Sequence, residues 1–109
     1  MDWMSAREFC QAEGAELGSI HSSEEHHFIV SLLNAVAVDI SHSVFWLGGT
    51  DSESEGQWQW SDGTYWDFQD PLKEDGGSAK NCLKIDKRYS GILYDDSCFS
   101  HRYFVCSIG

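Results

Sequence analysis

Four cysteines constrain this chain more than any other feature: Cys10 stands near the start, and Cys82, Cys98 and Cys106 fall in the last third of its 109 residues. No two of them form a C-x-x-C pair, so the local chelate of a structural zinc site is missing and disulfides are the reading that fits. Four cysteines allow three pairings, and spacing does not choose among them. A nested arrangement, with Cys82–Cys98 inside Cys10–Cys106, would tie the two ends of the chain together. On the chain-entropy view its short loop would contribute about 3 kcal/mol and its long one nearly ~5 kcal/mol. Such crosslinks persist in oxidising surroundings, so the chain is expected to be secreted or to stand on the extracellular face of a membrane protein.

The length suits one domain, residues 1–109, with a modest core. Eighteen acidic against seven basic residues give a formal charge of -11. That balance argues against nucleic acid or an anionic membrane as the main partner. The longest apolar stretch, residues 28–40, is broken by Ser31, Asn34 and Asp39, so no segment is expected to insert into a bilayer. Met1 leads into Asp2-Trp3 without a charged or apolar leader, and the start is expected to be that of a mature domain.

Local patterns divide the chain into a helical and a strand-rich half. Asp2 can cap a helix in which Trp3, Ala6, Phe9 and Cys10 recur at helical spacing, and Gly14 is placed to end it. Ser22 and Glu25 form a capping box for a second helix, with Phe28, Ile29, Leu32 and Leu33 expected on its buried face. His21, His26 and His27, beside Glu24 and Glu25, read as the solvated start of that helix. From Val44 on, strands are expected at 45–47, 58–60, 82–85, 92–94 and 103–106, separated by Gly, Asp and Ser turns. The class is α+β. Phe45, Trp46 and Leu47 suit a strand buried on both faces, and Gly48-Gly49 after them permits close backbone approach. Asp51 and Glu55 follow in a serine-rich loop, where carboxylates can face water or a hard cation. Residues 65–81 show no periodicity, hold the only proline, Pro71, and have the length of a functional loop.

In this order, the 3–10 helix, Phe45-Trp46-Leu47-Gly48, Trp60-Ser61-Asp62-Gly63 and Tyr103-Phe104-Val105-Cys106, together with the cysteines, resemble the C-type lectin-like domain over nearly the whole chain. The resemblance implies two helices, two small antiparallel sheets, a long ligand loop and the bridges Cys10–Cys106 and Cys82–Cys98. It also implies a strand ahead of the first helix, where this sequence starts at the helix. Loss of that strand would leave an edge near 103–106 open to another chain, and a homodimer through that edge is one expected partner.

Sugar binding in this family runs through calcium, which takes six to eight oxygen ligands. The family's Glu-Pro-Asn motif falls on Asp70-Pro71-Leu72, its later glutamate on Lys80, and its Trp-Asn-Asp motif on Leu93-Tyr94-Asp95. Of the five ligand positions only Asp70 and Asp95 keep a carboxylate, and Lys80 brings a cation. Its ammonium can stand among Asp70, Asp95 and Asp51 in place of the ion, or point into water. A neighbouring auxiliary calcium site keeps Asp51 and Glu55. Its remaining positions fall formally on Lys73, Lys80 and Asn81, with Glu74 or Asp75 able to take the place of Lys73. Calcium is therefore expected, where it binds at all, as a weak or structural ion. Tyr89 and Tyr94 stand beside the loops, where a ring can stack on a sugar or anchor a protein interface. Trp66 is expected to support the loop from beneath. No nucleophile elbow, HExxH or phosphate-cradling glycine loop occurs. The reading is a non-enzymatic extracellular recognition module for a glycan or protein ligand, without calcium-dependent sugar coordination; the alternative is a calcium-dependent lectin with a degenerate site.

Overall fold

The computed structural model describes residues 1–36, 44–52, 57–67, 72–73, 81–87 and 91–107, with the backbone alone for Val36, Leu72 and Lys73. Helix α1 (Trp3–Ala12) begins where Asp2 accepts a 2.9 Å hydrogen bond from the Ser5 amide, which holds the Asp2 carboxyl below its ordinary range. It ends at Gly14, whose φ of +76° is the left-handed region that glycine enters without a Cβ penalty. Its inner face is Trp3, Ala6 and Cys10; Phe9 lies half outside, edge-on to Phe104 with ring centroids 5.4 Å apart. Strand β1 (Glu16–Leu17) follows at once.

Helix α2 (Ser23–Val36) is capped as expected by Ser22, whose hydroxyl accepts from the Glu25 amide at 3.1 Å. The Glu25 carboxylate accepts from the His21 amide at 2.8 Å, one residue earlier than in a reciprocal box. The buried stripe differs from the expected one. Ile29 and Leu33 are buried, but Phe28 is 67% and Leu32 42% exposed, and His26 takes the inner position at 7%. Two apolar stripes about 100° apart compete on this helix, 28/32 and 29/33. The helix turns the second one inward, together with His26, whose Nε2 lies 2.7 Å from the Gly91 carbonyl.

The remaining strands are β2 (Val44–Thr50), β3 (Gln59–Trp60), β4 (Leu72–Lys73), β5 (Cys82–Asp86), β6 (Ile92–Asp96), β7 (Tyr103–Phe104) and β8 (Cys106–Ser107). β1 pairs β8 antiparallel in a small sheet. The larger sheet runs β3-β2-β5-β6-β4 with β7 also on β2; its long pairings are antiparallel, and the two-residue pairings β2/β7 and β4/β6 are parallel. Successive residues of β2 point to opposite faces. Phe45 and Leu47 join Ile29, Leu33, Ile85 and Leu93 on the α2 side, while Trp46 joins Trp3, Ala6 and Cys10 on the α1 side. The expectation of a strand buried on both faces holds. Buried Trp3 donates its indole N–H to the Leu47 carbonyl at 2.8 Å.

Gly48 answers a steric need: a Cβ there would lie 2.7 Å from Ser61 Oγ and 3.0 Å from the Leu17 carbonyl. Both expected disulfides form. Cys10–Cys106 joins α1 to β8, and Cys82–Cys98 joins β5 to the turn after β6. Gly14 and Gly91 share φ of +76°, but a Cβ on Gly14 meets nothing, whereas one on Gly91 would lie 2.3 Å from Val30 Cγ2 and 2.8 Å from His26 Nε2. Gly14→Ala is therefore expected to cost about 1 kcal/mol and Gly91→Ala about 3 kcal/mol, measured by chemical denaturation. Equal losses would contradict the docking of α2 on Gly91.

Candidate functional site

Strand β6 carries Leu93-Tyr94-Asp95, on which the family's Trp-Asn-Asp motif falls, and pairs with β5. Their register pairs Leu83 with Asp95, Lys84 with Tyr94 and Cys82 with Asp96. Asp95 therefore turns to the α2 face with Leu83 and is 3% exposed, while Tyr94 stands half-buried on the opposite face. Lys84 Nζ lies 5.7 Å from the Tyr94 ring centroid and 3.5 Å from Asp96 Oδ2. Arg102 Nε reaches the same oxygen at 3.0 Å, and the Ser97 amide donates to Asp96 Oδ1 at 2.8 Å. The carboxylate of Asp96, buried, is thus held between two cations. On the outer side of β6, β4 pairs Leu72 with Leu93 and Lys73 with Tyr94. Leu72 and Tyr94, the two positions expected to supply amide oxygens, thus stand on neighbouring strands one register step apart, and neither residue type carries an amide side chain.

Asp51 follows β2 directly and is 2% exposed. Its amide donates to the Asn81 carbonyl at 3.1 Å, and Thr50 Oγ1 donates to the same carbonyl at 2.7 Å. The Oδ1 atoms of Asp51 and Asn81 are buried and accept no hydrogen bond. Two oxygens of this kind suit a hard cation, but they are a fraction of a calcium shell. Among the described residues no group of three or more His, Cys, Asp or Glu is placed to hold a metal. Glu55, Glu74 and Asp75 of the expected metal set, and Asp70, Lys80 and Tyr89 of the expected ligand set, lie outside the described residues. The structure thus brings Asp51 to Asn81 and Tyr94 to Lys84.

A polar network at residues 19–21 and 62–67 was not anticipated. Asp62 accepts from Ser19 Oγ at 2.6 Å, from the Thr64 amide at 2.9 Å and from Thr64 Oγ1 at 2.5 Å. His21 places Nε2 2.8 Å from Thr64 Oγ1 and Nδ1 2.7 Å from Asp67 Oδ1. Partial burial works to raise the Asp62 pKa, but the hydrogen bonds from Ser19 and Thr64 and the nearby His21 outweigh it, and the net shift is downward. The local signal was the Asp62-Gly63-Thr64 turn; the links to Ser19 and His21 span 43 and 46 residues and leave no periodic trace. Beside the network, Trp66 stacks on Trp60 with centroids 4.4 Å apart, and a Cβ on Gly49 would lie 3.0 Å from the Trp66 ring. Trp66 is thus a support, as expected.

The sequence model of the family described as Lectin C-type domain matches residues 1–108. Galactose-specific lectin nattectin of Thalassophryne nattereri is 31% identical over 111 residues, 98% of this chain and 67% of the relative. Type-2 ice-structuring protein of Hemitripterus americanus is 34% identical over 110 residues, 99% of this chain and 63% of the relative. The chain spans about two thirds or less of the length of each. Among solved structures, the Ca2+-dependent type II antifreeze protein in its Ca2+-free form superposes with a TM-score of 0.83 at 31% identity, covering 97% of this chain and 82% of that one.

Because the folded pKa of Asp62 lies below its ordinary value of 3.8, its contribution is present above that value and is lost as the pH falls through the lowered one. Ser19→Ala is expected to be less stable than the parent near neutrality and to converge with it as the pH falls through the lowered Asp62 pKa, as followed by denaturation across pH. Asp96→Asn, which leaves Lys84 and Arg102 without their shared anion, is expected to cost about 2 kcal/mol by urea denaturation, discounted for the partial exposure of both cations.

Proposed function

The chain belongs to the C-type lectin domain family and is a non-enzymatic recognition module, and we propose that it binds a glycan or protein ligand at its long-loop face without calcium-bridged sugar coordination. The observation that carries this reading is the residue type at the two amide-ligand positions, Leu72 on β4 and Tyr94 on the neighbouring strand β6. In a calcium-bridged site both positions would present amide carbonyls to the ion, and here one is aliphatic and the other a phenol ring. Burial of Asp95 supports the same reading, since a carboxylate on the core side of β6 is withdrawn from the loop surface. The ligand face proposed is Tyr94 with Lys84, flanked in sequence by Asp70, Lys80 and Tyr89. An aromatic ring beside an ammonium suits both the face of a sugar ring and an acidic or aromatic protein surface.

Relatives named for galactose and for ice structuring stand at similar identity, 31% and 34%, so ligand class is argued from the loop-side residues and not from overall likeness. The two disulfides favour an extracellular setting. Among the described residues no helix is long and apolar enough to cross a membrane.

A second reading, calcium as a brace at the auxiliary site, is favoured by the placement of buried Asp51 against Asn81. Glycan-array and protein-ligand binding measured in calcium and in chelator separates the two roles. Retention of ligand is expected to change less than about twofold on chelation, while saturating calcium stabilises the fold by about 2 kcal/mol if the brace exists. Asp51→Asn is expected to abolish that stabilisation. Loss of glycan binding in chelator would overturn the calcium-free reading and leave the calcium-dependent lectin in its place.

A further inference from the structure

His21 sits in a chain of short polar contacts whose proton count has one natural solution. Three contacts run in series: Asp62 to Thr64 Oγ1 at 2.5 Å, Thr64 Oγ1 to His21 Nε2 at 2.8 Å, and His21 Nδ1 to Asp67 Oδ1 at 2.7 Å. Each needs a proton between its heavy atoms, since two lone pairs at such distances repel. Asp62 is held ionised by its donors and accepts only, and Asp67, 58% exposed, as a carboxylate likewise accepts only. The single hydroxyl proton of Thr64 is therefore spent on Asp62. The other two protons must come from the imidazole, one on each ring nitrogen.

From this geometry we infer that His21 is a proton-operated clamp, joining the bend before α2 to the 62–67 segment when both ring nitrogens are protonated and releasing one of those contacts when one proton leaves. A neutral ring has one N–H and one lone pair. With its proton on Nδ1 it keeps Asp67 and turns a lone pair toward Thr64; with its proton on Nε2 it keeps Thr64 and turns a lone pair toward Asp67. Were the Thr64 hydroxyl to rotate toward the ring instead, Asp62 would lose its shortest donor. Every neutral arrangement costs the network one contact.

Among the described residues the charged groups facing His21 are all acidic. They are Asp67 and, through Thr64, Asp62 from the segment after β3, and Glu25 from α2, whose carboxylate accepts from the His21 amide. From β3 itself only the Trp60 ring approaches, edge-on at 6.1 Å. The Asp67-His21-Thr64 order also resembles an acid-base-hydroxyl array, but a hydroxyl already donating to Asp62 has no proton to give the ring, so the array is a brace and not an activated nucleophile.

Asp67 lies at the described N-terminal end of the 65–81 loop, so the clamp fixes the base from which that loop departs. A consequence for ligand binding rests on the long-loop reading above; the clamp does not, and its test needs no ligand. Nitrogen-resolved NMR of the whole domain at about pH 5.5 is expected to show His21 with both ring nitrogens protonated. Amides of residues 62–67, corrected for intrinsic exchange, are expected to be at least ~5-fold better protected at about pH 5.5 than at about pH 8. His21→Gln, which cannot change charge, and Thr64→Val, which removes the hydroxyl at nearly constant volume, are both expected to lose this pH response. Equal protection at the two pH values in the parent would overturn the clamp. So would a neutral His21 ring in the protected state, or an undiminished response in His21→Gln.

Discussion

Strand β2 has no solvent face, and the rest of the molecule is arranged around that fact. Phe45 and Leu47 build the core under α2, and Trp46, fully buried between them in sequence, builds the one under α1. A strand of this kind must be covered on both sides by elements remote in sequence, and the covering is what makes a modest chain cooperative. Where β2 passes from these large side chains to Gly48 and Gly49, bulk disappears and other backbone moves in: the Leu17–Gly18 segment and Ser61 against Gly48, Leu83 and the Trp66 ring against Gly49. Asp51 comes next along the same strand direction. The position of a candidate ligand is thus set by the packing that precedes it.

Carboxylates do much of the polar joining in this acidic domain. Glu16 accepts from Arg7, Gln11 and Ser61, tying α1 to the turn after β3; Asp62 gathers Ser19 and Thr64; Asp96 gathers Arg102, Lys84 and Ser97. Each is satisfied by several donors, which is how a partly buried carboxylate is tolerated without a metal. Lys84, on β5, is one of two cations set against the Asp96 carboxylate, at a position for which the family pattern gives no expectation. It is neutralised by Asp96 and shares the Tyr94 face.

Much of the frame was legible because its signals are local or covalent. The Asp2 and Ser22 caps, the apolar 45–47 run with its following glycines and the four cysteines each point to one structure, and all agree. The features that escaped are those that only tertiary contact creates. β1 and β4 are two residues long and exist through their pairing partners, with no periodicity to announce them. The rotation of α2 could not be read from two apolar stripes of similar strength, and it was decided by His26 reaching Gly91. His21 was set down as solvated because His, Ser, Thr and Asp in turns look the same in sequence whether they face water or each other. At the site, Asp51 and the substitutions at Leu72 and Tyr94 were legible as chemistry. Their placement was not, since β4 has to pair with β6 before Leu72 and Tyr94 stand on neighbouring strands.

The described ends of the long loop are held by protein contacts. On its N-terminal side, Trp66 is stacked on Trp60 and Asp67 is bound by His21. On its C-terminal side, the Asn81 carbonyl accepts from both Thr50 and Asp51. Between them, β4 is hydrogen-bonded to β6. A loop closed at its ends and tied at β4 loses less entropy on ordering than one hinged freely, because the cost of closure grows with the length left unconstrained. These protein contacts brace the described boundaries of the loop.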